Sequence, residues 1–210
     1  AFLGGALATA VSLPLWRAWC VRHGLVDDPG HRKIHDTPIP LAGGLAVLSG
    51  LLVPLVAAGF ALHSNLLPAD AVEKILHGFE RRGFQLAVIL GGALGMVLLG
   101  WLDDKHELRA GPKFATQLAI ALAVALAGVR IKLFPESPLS PVLSCGVTVL
   151  WILTVVSAVN IMDNMNGLCS GLGVIGAAAF GATAAMQGQY LVASLALLAA
   201  GALAGFLPFN

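Results

Sequence analysis

Long runs without a charged side chain dominate this sequence and restrict the environments in which it can fold. No Asp, Glu, Lys or Arg occurs within residues 1–16, 41–69, 83–102, 114–129, 137–162 and 164–210. A membrane-spanning helix needs about 20 apolar residues, so each of the first five runs fits one helix, and the last run fits two. Hydrophobic residues make up 58% of the chain and charged residues 11%, as in proteins whose surface faces lipid. We therefore expect an integral membrane protein.

The predicted fold is an all-α, polytopic membrane helix bundle with about seven transmembrane helices. The break within the last run is expected at residues 187–189, the polar cluster in its middle. No repeat or linker divides the chain, so residues 1–210 are predicted to form a single transmembrane domain. Small residues at helix-packing spacing predict close helix contacts: Gly91, Gly92, Gly95, Gly201 and Gly205.

Seven crossings place alternate loops on opposite faces of the membrane. The first, third and fifth loops share one face; they are expected at residues 17–40, 103–113 and 160–166. These loops carry seven Lys and Arg residues against five on the other face, and the excess predicts that they are cytoplasmic. The opposite face has one long loop, residues 63–82, whose apolar spacing predicts an amphipathic helix lying on the membrane interface.

Two adjacent carboxylates, Asp103 and Asp104, follow directly after the charge-free run of residues 83–102. Acidic side chains at the end of a span are costly to place and hard to explain by packing, so this pair indicates a cation or phosphate site at the membrane surface. With two like charges so close, one of the pair could also act as a base.

A third carboxylate, Asp163, lies among amides in a predicted loop on the same face as Asp103 and Asp104. The flanking amides are Asn160, Asn164 and Asn166. By itself this segment fits two interpretations equally: a site for a hard cation or polar ligand, or an Asn-rich turn that satisfies its own backbone. Three carboxylates without a His or Cys cluster favour Mg²⁺ or Mn²⁺, which bind together with the oxygens of a substrate phosphate. The combination predicts phosphoryl-transfer chemistry.

The first predicted cytoplasmic loop supplies the opposite charge. Arg32, Lys33 and His35 form a compact group between two Pro/Gly turns, suited to contact a diphosphate or a lipid phosphate. Ordinary positive-inside residues account for Arg17 and Arg22, but less well for this group. The net charge of +1 gives no support to a nucleic-acid partner.

Three motifs in order resemble those of one enzyme family. DDPGHRKIHDTPIPLAGG resembles D-x-P-x-x-R-K-x-H-x-x-P-x-P-x-x-G-G, and GWLDDKHELRAGPKFATQL resembles G-x-x-D-D followed by K-x-x-x-Q. NIMDNMNGLCSG resembles N-x-x-D-G-x-D-G-L-x-x-G. Together they look like the polyprenyl-phosphate N-acetylhexosamine-1-phosphate transferases, and the RKIH loop looks more like the branch that uses UDP-N-acetylglucosamine than the peptidoglycan branch.

The resemblance implies an enzyme of the bacterial inner membrane with its active site on the cytoplasmic face. Members transfer a sugar 1-phosphate from a UDP-sugar to a polyprenyl phosphate such as undecaprenyl phosphate, with Mg²⁺ or Mn²⁺, and release UMP. This step initiates cell-envelope polysaccharide synthesis. A homodimer is possible.

The resemblance also assigns roles to residues. Asp103, Asp104 and Asp163 fall on metal and catalytic positions, and the remaining matched positions are expected to bind substrate: Arg32, Lys33, His35, Lys113, Asn160, Asn164 and Asn166.

The sequence departs from the family pattern in two places. Asn166 replaces a second Asp and Asn164 replaces a Gly in the third motif, which removes a carboxylate that family members use there. Members also continue past GFLPFN into F-x-G-D-x-G with a further metal-binding Asp. We therefore expect this chain to be a fragment of a longer enzyme, inactive alone.

Two other functions use similar residues. An intramembrane, Mg²⁺-dependent prenyltransferase also binds a diphosphate through Asp-rich motifs, but here Asp103-Asp104-x-x-Glu107 is a loose match and a second such motif is missing. A transporter could relay protons or bind a cation through Asp104 and Asp163, although these carboxylates are expected at one face rather than at the midplane.

Overall fold

A computed structural model describes residues 1–27, 39–63, 69–106, 108–162 and 165–210. Within these ranges the chain forms seven α-helices: α1 (Phe2–Arg22), α2 (Gly43–His63), α3 (Ala69–His106), α4 (Ala110–Leu126), α5 (Ser140–Met162), α6 (Leu168–Met186) and α7 (Tyr190–Phe206). A short 3₁₀ turn, Leu207–Phe209, follows α7. The predicted all-α fold and the number of helices are confirmed, as is the break at residues 187–189.

Five of the helices in the described part of the chain are long and apolar enough to cross a membrane: α2, α3, α5, α6 and α7. Helix α4 is apolar but has only 17 residues, in keeping with its short charge-free run. The protein is therefore a multi-pass membrane protein.

The predicted helix ends were less accurate. The third loop was expected at residues 103–113, but α3 continues through both carboxylates to His106 and α4 already begins at Ala110. Residues 63–82 were expected to hold a separate interfacial helix; instead, the helical residues from Ala69 onward are continuous with the span that follows. No proline interrupts this stretch, so the backbone hydrogen bonds run on without a break.

The chain divides into two compact units, one of residues 1–81 with 165–210 and the other of residues 82–164. Each unit is helical, and the prediction of a single domain stays a prediction. The first unit contains α1, α2, the first part of α3 (residues 69–81), α6 and α7, and α7 packs against α1, α2 and α6.

Contacts within the first unit show that α1 and α7 run parallel. A Cβ atom at Gly201 would collide with the backbone carbonyl oxygen of Phe2, and one at Gly205 with that of Ala6. Residue numbers therefore increase in the same direction along both helices. Helix α6 runs antiparallel to α7, since Gly173 lies against Leu203 whereas Gly181 lies against Leu197. The direction of each of these helices agrees with alternating crossings.

Helix α2 runs antiparallel to α1. Gly4 faces Pro54 and Thr9 faces Gly50. The α1–α2 connection, the start of α6 and the end of α7 therefore lie at the same end of this unit. A pair of two-residue strands closes the connection: Val26–Asp27 (β1) and Ile39–Pro40 (β2) pair antiparallel.

The second unit contains the rest of α3 with α4 and α5. Gly95 lies against Ile120 and Gly92 against both Ile120 and Val124, so α3 and α4 are antiparallel. An apolar cluster joins α4 to α5: Leu118, Ala121, Ala125, Cys145, Val149, Ile152 and Leu153. The backbone N–H of Ile131, just beyond α4, donates to Thr148 Oγ1 in the first half of α5 at 2.9 Å. Helices α4 and α5 are therefore antiparallel too.

The predicted glycine contacts are confirmed at four of the five positions. Gly201 and Gly205 meet α1, and Gly92 and Gly95 meet α4. Gly91 was predicted wrongly, because a Cβ there would have no atom of a neighbouring segment within 4 Å.

Candidate active site

The last turns of α3 carry Asp103 and Asp104, and the first turn of α4 carries Lys113. Only residues 107–109 separate the two helices, and of these Glu107 lies outside the described residues. The short connection and the antiparallel packing bring the end of α3 against the start of α4. All three side chains therefore lie at one end of the second unit.

The Lys113 ammonium donates a hydrogen bond to Asp103 Oδ2 at 2.7 Å. The two side chains form a salt bridge and are only 26% and 23% exposed, respectively. A partly buried pair of this kind is screened less by solvent than one at an open surface. Asp103 was predicted as a catalytic and metal residue, and Lys113 as a substrate-binding residue; the structure brings the two together.

Both charges occupy helix ends that disfavour them. The carboxylate of Asp103 is near the negative C-terminal end of α3, and the ammonium of Lys113 is near the positive N-terminal end of α4. Each such placement costs about 0.3–1 kcal/mol relative to a neutral side chain. Pairing the two offsets this cost.

Asp104 is exposed and follows Asp103 by one position on the helix. Successive helical side chains point about 100° apart, so the two carboxylates open in different directions from the same helix end. While Asp103 is turned to Lys113, Asp104 presents its oxygens to a different side.

Asn160 lies in the last turn of α5 and is exposed. Because α5 is antiparallel to α4, this end of α5 is at the same end of the unit as Lys113. The structure therefore places Asn160 at the same end of the second unit as Asp103, Asp104 and Lys113, as the alternation of loops predicted.

Asn166 belongs to the other unit, in the turn that precedes α6. The next residue, Gly167, adopts a left-handed conformation with φ of 76° and caps the helix. Such a backbone conformation suits glycine. Asn166 is exposed, at the end of its unit where the α1–α2 connection also lies.

The remaining predicted site residues lie outside the described residues. They are Arg32, Lys33, His35, Asp163 and Asn164. Their assigned roles stay predictions.

Asp103 and Asp104, at the end of α3, supply two of the carboxylates that a hard cation could bind. In the described portion of the chain no three His, Cys, Asp or Glu side chains are grouped to hold a metal ion. Mg²⁺ is usually held by one or two carboxylates together with water and substrate phosphate, and two carboxylates end α3. Lys113 already occupies one oxygen of Asp103. The two carboxylates that end α3 are therefore oxygen donors of the kind that would hold Mg²⁺ or Mn²⁺.

Two contacts were missed by the sequence interpretation. The Asp103–Lys113 pair could have been suspected from the Gly111-Pro112 helix start, since a helix beginning there places Lys113 one turn from the connection. The second is a hydrogen bond from Asn210 Nδ2 to Ser170 Oγ at 2.8 Å, which ties the end of the chain to the start of α6. Nothing in the local sequence around Asn210 predicts it.

Comparison with known proteins identifies similar sequences. Residues 86–210 match the profile of glycosyl transferase family 4. A probable undecaprenyl-phosphate N-acetylglucosaminyl 1-phosphate transferase of Bacillus subtilis is 30% identical over 100% of this chain and 54% of its own length. A decaprenyl-phosphate N-acetylglucosaminephosphotransferase of Mycolicibacterium smegmatis is 31% identical over 99% of this chain and 52% of its own.

A more distant relative comes from the peptidoglycan branch. A phospho-N-acetylmuramoyl-pentapeptide-transferase of Desulforudis audaxviator is 27% identical over 100% of this chain and 66% of its own length. The chain spans about half the length of the Bacillus and Mycolicibacterium relatives. No solved structure matches.

Proposed function

The chain belongs to glycosyl transferase family 4, and we propose that the protein it forms part of is a phosphoglycosyl transferase. It transfers N-acetylglucosamine 1-phosphate from UDP-N-acetylglucosamine to a polyprenyl phosphate and releases UMP. The observation that carries the proposal is the Asp103–Lys113 pair beside Asp104 at the end of a long apolar helix. The names of the Bacillus and Mycolicibacterium relatives support both the sugar phosphate and the lipid acceptor.

The reaction is a displacement at phosphorus. An oxygen of the polyprenyl phosphate attacks the β-phosphorus of the UDP-sugar, and the bond from that phosphorus to the bridging oxygen breaks. The bridging oxygen leaves with UMP, and the lipid now carries a diphosphate-linked N-acetylglucosamine. Lys113 is a point charge with three donors that can contact the phosphate oxygens on which negative charge accumulates, while Asp103 holds its ammonium in place.

The acceptor's hydrocarbon chain needs an apolar path to this site. Leu94, Leu98 and Leu102 repeat every four residues along α3 and are all exposed, so they form a stripe on one side of the helix. The stripe ends next to Asp103. A lipid phosphate could approach the carboxylates from the bilayer with its chain along these leucines.

Mg²⁺ or Mn²⁺ belongs to the proposal, with Asp103 and Asp104 as its carboxylate ligands and Asp163 as a third. Bound there, the ion would supply positive charge to the diphosphate. We further propose that the site faces the cytoplasm, on the basis of the seven Lys and Arg residues predicted on that face against five on the other.

The test is UMP release by membranes that contain the full-length protein, given UDP-N-acetylglucosamine and undecaprenyl phosphate with or without Mg²⁺. We expect release that depends on the lipid and on the ion. We expect Asp103→Ala and Asp104→Ala each to lower turnover by about 10²-fold or more, as for the loss of an electrostatic contact to the transition state.

A readout of folding accompanies these variants. Both should insert into the membrane at wild-type levels, because the carboxylates lie at the end of α3 and not in its apolar span. UMP release that survives in both variants, or release without any lipid acceptor, would contradict the proposal.

A further inference from the structure

Gln117 is a buried polar residue of α4 that the proposed reaction does not use. It follows Lys113 by four positions. Only 9% of its surface is exposed, and the other buried residues of α4, Ala121 and Ala125, are apolar. A polar side chain in such surroundings is costly unless a hydrogen bond satisfies it, so the carboxamide of Gln117 calls for a partner.

Gln117 lies on the face of α4 that packs against α3. Successive spacings of four, three and four residues place one set of side chains on a single side of this helix: Lys113, Gln117, Ile120 and Val124. Lys113 bonds to Asp103 of α3, and both Ile120 and Val124 lie against glycines of α3. Because the residues before and after it on this side meet α3, Gln117 faces α3 as well.

Helix geometry directs the carboxamide of Gln117 toward the Lys113 ammonium. Four residues correspond to about 6 Å along the helix axis, and side chains four positions apart on a helix can meet. Helical side chains lean toward the N-terminus of their helix, which in α4 is the end that carries Lys113. The carboxamide therefore extends toward the salt bridge between Lys113 and Asp103.

Donors and acceptors at this position are complementary. An ammonium has three N–H donors, and within the described residues the Lys113 ammonium makes one hydrogen bond, to Asp103 Oδ2. No described residue hydrogen-bonds the carboxamide of Gln117, whose Oε1 is an acceptor. Lys113 is only 26% exposed, so solvent has limited access to its remaining donors.

We infer that Gln117 is a positioning residue for Lys113, an inference that rests on the proposed function. In the substrate complex, Asp103 accepts one hydrogen bond from the ammonium and Gln117 Oε1 accepts a second, which directs the third N–H at a phosphate oxygen of the substrate. Two fixed acceptors hold the ammonium in one orientation, whereas a single acceptor leaves it free to rotate about the N···O axis. Gln117 thus acts on the reaction through Lys113 and touches no substrate atom.

The first test is Gln117→Met in the full-length protein, since methionine is similar in size but has no amide. We expect kcat for UMP release to fall about tenfold, as for one lost hydrogen bond to a charged group, with KM for UDP-N-acetylglucosamine unchanged. The thermal unfolding midpoint should stay the same or rise, because the variant no longer buries an unbonded amide. Gln85→Met is the matched control: Gln85 lies beside Gly128 at the opposite end of the second unit, and its loss should leave the rate unchanged.

A double-mutant cycle shows whether Gln117 acts through Lys113. Adding Gln117→Met to Lys113→Ala should lower the rate by less than about twofold, because the ammonium that Gln117 orients is already absent. Gln117→Glu keeps an acceptor oxygen but has no amide donors, so it should retain about fivefold more activity than Gln117→Met.

UMP release by the unmodified protein separates the two proposals. If that release occurs, the inference alone is overturned by a Gln117→Met rate equal to wild type, or by a further loss of about tenfold when this change is added to Lys113→Ala. A lowered unfolding midpoint in Gln117→Met would show a structural bond of the amide, and a Gln117→Glu rate as low as that of Gln117→Met would show that the amide acts as a donor; either result contradicts the inference. No UMP release by the unmodified protein would overturn the proposed function, and this inference with it.

Discussion

Asp103 and Lys113 show how a charge pair can be held where neither charge is favoured alone. The carboxylate is near the C-terminal end of α3 and the ammonium near the N-terminal end of α4, against both helix dipoles. Each charge is stabilised by the other, because the Lys113 ammonium lies 2.7 Å from Asp103 Oδ2. In the proposed reaction, a phosphate arriving at Lys113 would meet a cation that is already oriented. This is the kind of preorganisation that stabilises developing charge without a cost in reorientation.

Two substitutions of Lys113 distinguish an oriented donor from a positive charge alone. In the full-length enzyme we expect Lys113→Ala to lower kcat/KM by about 10²-fold, because the donor to the phosphate is lost and Asp103 loses its cation. Lys113→Arg keeps the charge but changes the donor geometry, and should retain more activity than the alanine variant. Initial rates of UMP release measure both.

Lys105 provides the matched control for Lys113. Its ammonium lies over the Trp101 ring, 5.4 Å from the centroid, in the same helix-end region. Lys105→Ala should stay within about threefold of wild type, since a cation–π contact at an exposed site contributes little. An equal loss of activity in Lys105→Ala and Lys113→Ala would show a general dependence on basic charge and contradict a specific role for the pair.

The helices of the first unit are joined by close backbone contact. Helices α1 and α7 approach so tightly that a Cβ at Gly201 or Gly205 would meet carbonyl oxygens of the neighbouring backbone. Without a strong hydrophobic driving force inside a bilayer, helix association depends on this close packing of small residues. The contact holds α1 against α7 and so fixes the position of the residues of α1 along the axis of α7.

A pair of identical substitutions tests this contact. Gly201→Ala places a methyl group against the backbone of Phe2, and we expect it to destabilise the protein by about 1–3 kcal/mol through overpacking. Gly91→Ala adds the same methyl group where no neighbouring segment lies within 4 Å, and should leave stability unchanged or slightly improved. Thermal unfolding midpoints in detergent compare the two. A larger loss in Gly91→Ala would contradict the packing described here.

Across the whole molecule, the sequence predicted the helices well and their ends poorly. Charge-free runs locate apolar helices because a membrane excludes charge from their middle, and all seven expected helices are present within the described ranges. The same rule misplaced the connection of residues 103–113, since charged residues at the membrane surface are compatible with helix. A run without charge marks the span and not the last helical turn.

The sequence predicted which residues lie at the candidate site but not that Asp103 and Lys113 bond to each other. Asp103, Asp104, Lys113 and Asn160 were expected on one face from the alternation of loops, and the structure places them at one end of the second unit. The bond between Asp103 and Lys113 depends on how α3 and α4 are rotated about their axes. That rotation is set by contacts such as Gly95 with Ile120, which loop order does not reveal.

The central claim is that the β-phosphate of the nucleotide sugar moves to the lipid together with the sugar. The direct measurement supplies full-length protein in liposomes with undecaprenyl phosphate, Mg²⁺ and UDP-N-acetylglucosamine that carries ³²P in the β-phosphate. The account predicts label in the lipid fraction with unlabelled UMP as the other product, and loss of both in Asp104→Ala. Label that remains in UDP while the sugar reaches the lipid would contradict it.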